Sequence, residues 1–222
     1  MPQPFRRDGF AVLPGFDALR LRPQFAAHVG IIAGMWSFIE SKMASIVSTI
    51  LHTDALVGAT IYGVIRAEAA RFAAIDAVAN ERLSRKDFDH WLALRKQVSS
   101  AGDQRNAVLH NVWSLPPQGV DGVLLIDSRK QALIHAAITT SQGMPDDATS
   151  ISTAPRRHAI FQKHRDRMML YKEEDFLNIE ADFERLSLSL VAFDLKLSVR
   201  NLARVHESRT DQDEPPTEVQ KR

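Results

Sequence analysis

Arg105-Asn106-Ala107-Val108-Leu109-His110 closes the third of four helical stretches legible in this chain, and Asn111-Val112-Trp113 comes directly after it. An Arg, an amide, three small or apolar residues and a His make a compact set of side chains. The planar guanidinium of Arg105 grips two phosphate oxygens and stays charged at any relevant pH. Imidazole takes or gives a proton near neutrality, which suits His110 to acid–base work. These are the groups that phosphodiester chemistry without a metal requires. On a helix of about 3.6 residues per turn, Asn106 and His110 are four apart and share a face. Arg105 and His110 are five apart, roughly 140° off that face. Two geometries stay open. The long Arg105 side chain converges with His110 around a phosphate, or it meets the His of a second copy across a two-fold axis.

Outward from this stretch, the third helix opens at Ser84, with Asp87 three residues on in a near capping box. Its line is Phe88, Trp91, Leu94 or Arg95, Val98, Ala101, Arg105, Val108 and Val112. Arg105 falls on that line, a cation among apolar neighbours. The run Ser99-Ser100-Ala101-Gly102 lowers helix propensity and predicts a kink. Pro116-Pro117 stops the helix.

The other helices read from the same three-four spacing. Helix one starts near Pro23, which suits a first helical position. Its line is Phe25, Val29, Ile32, Trp36, Ile39, Met43, Ile46 and Ile50. Asp54 is placed to cap helix two, expected over 55–80 with Ile61, Val64, Ile65, Phe72, Ile75 and Ala79 buried. Glu68 falls beside that stripe, an unusual place for a carboxylate. The last helix is expected from Lys172 to about Val205, with Glu173, Glu174 and Asp175 where the helix dipole favours acids. Its line is Phe176, Ile179, Phe183, Leu186, Leu190, Phe193 and Leu197.

Between the third and last helices the pattern changes. Residues 120–126 and 131–138 are β-rich runs separated by Asp127-Ser128-Arg129-Lys130, which predicts an antiparallel hairpin. Residues 141–155 read as polar loop. Residues 156–171 fit either a strand or a short helix and concentrate charge in Arg156, Arg157, Lys163, Arg165 and Arg167. The expected fold class is therefore mainly α: an up-down four-helix bundle with a small antiparallel β insert between the third and fourth long helices. A single domain is expected over 1–206, with the insert at about 114–170. Residues 207–222 are polar, contain Pro215-Pro216 and are expected to be disordered.

Composition bounds the chemistry. The 222 residues suffice for one well-packed domain. The net charge of +1 gives no global polyanion-binding signature, so any nucleic-acid contact is local. Cysteine is absent, which removes disulfides, thiolate catalysis and Cys-based zinc sites. The N-terminal residues lack the apolar core of a signal peptide. The most apolar stretch, 29–39, ends at Glu40 and Lys42, too soon for a membrane span. A soluble cytoplasmic protein with no membrane association is the expectation.

Arg105, Asn106 and His110 at the end of the third helix resemble the motif of the HEPN superfamily, compact helical bundles that carry an Arg, a polar residue, a short spacer and a His on a late helix. Asn111-Val112-Trp113 extends the resemblance, and Trp36 and Glu40 on the first helix also look like that family. The resemblance spans roughly 24–113 plus the last helix. The β insert is not part of a minimal domain of this kind. It implies a metal-independent endoribonuclease without a cofactor, acting as a homodimer that pools two motifs in one cleft. It implies catalytic roles for Arg105, Asn106 and His110, and leaves 2′,3′-cyclic phosphate ends on the product. Defence, toxin–antitoxin function with an antitoxin or other protein partner, and RNA processing are the implied settings. Some members have lost activity and bind RNA or protein, so an inactive helical dimer is the alternative.

Plainer readings stand beside these. Arg105 suits a structural ion pair to Glu68 or Glu40, because a cation in a seam needs a partner. His110 suits a helix cap or a core position, and Asn106 a local backbone bond. Glu40 and Glu68 are candidate assistants to catalysis, but ion-paired or solvated carboxylates are commoner. The basic residues Arg156, Arg157, Lys163, Arg165 and Arg167 are candidates for guiding RNA to the cleft, and equally a solvated face. His158 and His164 lack convincing metal spacing, so no metal is expected.

Overall fold

The computed structural model describes residues 2–5, 17–128 and 168–210, with the side chains of 204–210 excepted. The protein is mainly helical with a small antiparallel sheet. In order, the elements are β1 (Gln3–Pro4), α1 (Ala18–Leu21), α2 (Pro23–Leu51), α3 (Ala55–Val64), α4 (Glu68–Arg82), α5 (Arg85–His110), β2 (Val112–Ser114), β3 (Val123–Ile126), β4 (Met168–Tyr171) and α6 (Glu173–Thr210). Two compact units result. One comprises Met1–Trp36 and Ser100–Glu184; the other comprises Ser37–Ser99 and Arg185–Arg222.

The first unit holds the sheet, ordered β1-β4-β3-β2 with every pair antiparallel. Val112 pairs with Ile126, Leu124 with Leu170 and Gln3 with Leu170. Because side chains alternate along a strand, Leu124, Ile126, Met168 and Leu170 share one face. There they form a cluster with Phe5 and Val120. The opposite face carries Trp113 and Tyr171. Both pack at a tilt against Phe176 of α6, with centroids 5.7 and 5.6 Å away, and Phe176 meets Phe25 of α2 at 5.5 Å. Gly122 enters β3 at φ +118°, a backbone geometry that L side chains rarely adopt.

The second unit is helical. The expected apolar lines of its α2, α5 and α6 segments are buried: Ile39, Met43, Ile46 and Ile50; Trp91, Leu94 and Val98; Leu186, Leu190, Phe193 and Leu197. Asp54 caps α3, its Oδ1 accepting from the Val57 amide at 2.9 Å. Ser84 caps α5, its Oγ accepting from the Asp87 amide. Asp87 is buried and also binds Ser84 Oγ, Lys196 and Arg200. Asp194, likewise buried, accepts from Ser45 and Thr49 of α2.

Several expectations need correction. Helix two is not one helix over 55–80. It breaks at 65–67 into α3 and α4, and Ile61 and Val64 are exposed rather than buried. Gly63 and the β-branched Ile61, Val64 and Ile65 weaken the helix there, and Arg71 donates to the freed Tyr62 carbonyl at 3.5 Å. The break explains Glu68. As the first residue of α4, it sits where the helix dipole favours a carboxylate. The third helix ends at His110, ahead of the prolines, and Val112–Ser114 is a strand. Strand pairing to β3 outweighs helix propensity there, since Val112 is β-branched and Trp113 is buried by the sheet.

In the expected hairpin, the described run is β3, and its partners are β2 and β4. The sheet also takes β1 from near the N-terminus, so it is not built from the 114–170 segment alone. The 131–138 strand and the 141–155 loop lie outside the described residues. Of 156–171, residues 168–171 form strand β4. The last helix reaches Thr210, so 207–210 are helical; the rest of the expected tail, 211–222, lies outside the described residues.

Candidate functional site

The last two turns of α5 carry the motif within the first unit. Ala101 and Val108 are buried on either side of Arg105, which is half-buried, while Asn106 and His110 are exposed. The seam position expected for Arg105 is the one it occupies. Its guanidinium carbon stands 6.0 Å from the centre of the Trp36 ring, a cation–π distance. Trp36 is itself buried against Phe183, with ring centroids 6.2 Å apart.

Arg105, Asn106 and His110 converge within one chain. Arg105 Nη1 donates to Asn106 Oδ1 at 2.9 Å and lies 2.9 Å from His110 Nε2. The 140° offset between positions 105 and 110 is bridged by the length of the arginine side chain. A guanidinium has donors only, so His110 Nε2 accepts, and the ring proton sits on Nδ1. Both hydrogens of Nη1 are thereby used. Nη2 has no bond among the described residues. Nε is buried and likewise unpartnered among them. The cluster therefore holds one imidazole in a fixed tautomer beside a cation with half its fork uncommitted.

Asn111 and Trp113, just past the motif, have structural roles. Asn111 Oδ1 accepts from the Ser128 amide at 3.4 Å, fixing the exit of β3. Trp113 packs edge-on to Tyr171 at 5.9 Å. Burial raises the Tyr171 hydroxyl above its ordinary pKa, and the Asp175 carboxylate adds to the rise.

The candidate assistants lie in the second unit. Glu40 is half-buried on α2. Glu68 is exposed and accepts from Ser99 Oγ at 3.0 Å. Both carboxylates act on Tyr62. Burial chiefly pushes that phenol up to about 12, Glu40 and Glu68 add to the rise, and Arg71 opposes it. Arg156, Arg157, Lys163, Arg165 and Arg167 lie outside the described residues, as do His158 and His164.

Sequence reading missed two polar sites. His28 Nδ1 meets Glu180 at 2.7 Å, with Glu173 3.8 Å from Nε2, and the ring stacks on Phe176. The signal was the seven-residue spacing of Glu173 and Glu180 on one face of α6. Arg71 over the Tyr62 ring, 4.3 Å from its centre, was missed because the helix break that brings them together was not foreseen. No known protein family, curated protein or solved structure matches the chain. Among the described residues, no single helix is long and apolar enough to cross a membrane.

Proposed function

We propose that this chain is an RNA-directed protein of HEPN type, an up-down four-helix bundle acting as a metal-independent endoribonuclease. The observation that carries this is the paired bonding of Arg105 Nη1 to Asn106 Oδ1 and His110 Nε2, which leaves Nη2 for a phosphate oxygen. His110 Nε2 exchanges Arg105 for a ribose 2′-OH and takes its proton. The 2′-oxygen bonds to the adjacent phosphorus, and the bond to the 5′-oxygen breaks. Arg105 neutralises charge on the phosphorane oxygens. Asn106 holds the guanidinium in register. A His110 from a second copy, in its imidazolium form, gives a ring proton to the leaving 5′-oxygen, and the product carries a 2′,3′-cyclic phosphate.

The second copy has support of its own. On α6 of the second unit, Leu188, Leu195 and Leu202 recur every seven residues with Val191 and Val199 between them, and all five are exposed. A solvent-facing stripe with that spacing pairs with another helix.

Cleavage of a mixed RNA pool in EDTA tests the reading. Wild type should cut and leave cyclic ends. His110→Ala should lose on the order of 10²–10⁴ in rate, the scale of acid–base catalysis. Full activity in that variant would end the proposal. A silent RNA- or protein-binding dimer is the second reading. It is favoured by the same bonding, since Nη1 and Nε2 already satisfy each other without a substrate. Neither protein cutting, with both folded and dimeric, would select it.

A further inference from the structure

A cavity of about 530 Å³ lies beside the motif, and every residue that lines it belongs to the first unit. That volume is in the range of pockets for small organic ligands. Ala107 of α5, Ile179 of α6 and Tyr171 of β4 give it apolar walls. Asp103, Gln104 and Asn178 bring polar groups to it, and none of the three makes a hydrogen bond or ion pair among the described residues. Two further carboxylates, Asp175 and Asp182, line it as well. Asp175 is buried and accepts from the Lys172 amide at 2.9 Å.

This lining selects the chemistry of a ligand. Ionised carboxylates accept hydrogen bonds and do not donate, so the ligand presents N–H groups, and a phosphate is repelled. Among the described residues no group of three His, Cys, Asp or Glu side chains is placed to hold a metal ion. The apolar walls favour a flat, weakly hydrated body, and a nucleobase is one. Of the four RNA bases, guanine alone carries two adjacent donors on its Watson–Crick edge, N1–H and the 2-amino group. They match the two oxygens of one carboxylate. Asp103 is exposed, which leaves its carboxylate open to that edge.

The position on α5 links the cavity to the motif. Asp103, Ala107 and His110 follow one another by four and three residues, so they share a face of the helix. Ala107 stands about 4.5 Å from His110 along the axis. We propose that this cavity holds a guanine base next to the phosphodiester on which Arg105 and His110 act, with Asp103 accepting from N1–H and the 2-amino group. This rests on the reading of the chain as a ribonuclease and gives that activity a base preference.

GMP and IMP, which differ by the 2-amino group alone, are the probes. Amide NMR shifts of Gln104, Ala107, Asn178 and Ile179 in the full chain are the readout. GMP should give saturable shifts at a midpoint about ten-fold or more below that of IMP, the scale of one hydrogen bond to a charged group. Asp103→Asn, an exposed and nearly isosteric change, should raise the GMP midpoint to that of IMP. Cuts in a mixed RNA pool should fall beside guanine in wild type and lose that preference in Asp103→Asn. Equal GMP and IMP midpoints in wild type would overturn the proposal, as would an unchanged GMP midpoint in Asp103→Asn. So would spermidine, an amine with no base, if it moved the same amides at a lower midpoint than GMP. The two readings fail separately. Selective GMP binding without cleavage upholds the guanine pocket and removes the ribonuclease. Cleavage spread evenly over the four bases upholds the ribonuclease and overturns the pocket.

Discussion

Arg105 and His110, five residues apart on one helix, meet at 2.9 Å through Nη1 and Nε2. Since the arginine only donates, the contact assigns the imidazole proton to Nδ1. Nitrogen-15 NMR of the ring should report Nε2 as the unprotonated nitrogen in wild type. Arg105→Met should return a mixture of tautomers, because Nε2 loses its donor. Should RNA cleavage be found, Arg105→Met should also lower the rate by about 10² or more, as removal of a single charge-stabilising donor does. An unchanged tautomer in Arg105→Met would show that some other group orients the ring.

Asp87 joins a helix cap to two cations while itself buried. Asp87→Ala should destabilise the protein by ~2–3 kcal/mol, combining the lost bond from Ser84 Oγ to the carboxylate with cations left unpaired. The lower part of the range seen for buried pairs applies because Lys196 and Arg200 are each 41 % exposed. Asp87→Asn should retain part of that loss, since its amide oxygen still accepts. Urea unfolding of the two variants checks the order.

At Gly122 the backbone has φ +118°, and an added Cβ would meet the Tyr171 carbonyl oxygen across the β3–β4 pair. Gly122→Ala should therefore cost about 2 kcal/mol or more, from both strain and the displaced strand. Its effect should appear as weakened amide protection in 123–126 and 168–171, read by hydrogen exchange.

Tyr62 should remain a neutral phenol until pH about 12, as judged by its ultraviolet titration. Its ordinary value is about 10. A folded-state value above the unfolded one means that neutral Tyr62 contributes stability below pH 10. That contribution drains away as pH rises from 10 through 12. Glu40→Gln should lower the titration midpoint, because it removes a negative neighbour. Arg71→Met should raise it, because it removes the cation.

Residues with a strong three-four period were readable in the sequence. The lines from Phe25 to Ile50, from Trp91 to Val108 and from Phe176 to Leu197 are the buried lines of α2, α5 and α6, apart from half-buried Val29 and Arg105. Periodicity failed where its contrast faded. Ala55–Val64 is apolar on every side, so it carries no phase, and neither the break after Val64 nor the exposure of Leu56 and Val64 could be read from it. The strands of two and three residues were missed for another reason. Gln3–Pro4 and Val112–Ser114 become strands only through partners far along the chain, and no local pattern encodes those partners. At the candidate site, residue identities were legible and the bonding was not, because helical angles alone do not reveal how far an arginine reaches.

Gln3 pairs with Leu170, so the sheet beside the Arg105 helix waits for a strand made 167 residues later (170 − 3). A ribosome adds about 5–20 residues per second, so roughly 8–33 s separate the synthesis of these two partners. Within that interval α2 and α5 are made, and Phe5, joined later by Leu124 and Ile126, lacks the Met168 strand that shields it. The nascent chain thus carries an open strand edge through most of its own translation. Slowing elongation before codon 168 would lengthen the exposure and raise the demand for a chaperone.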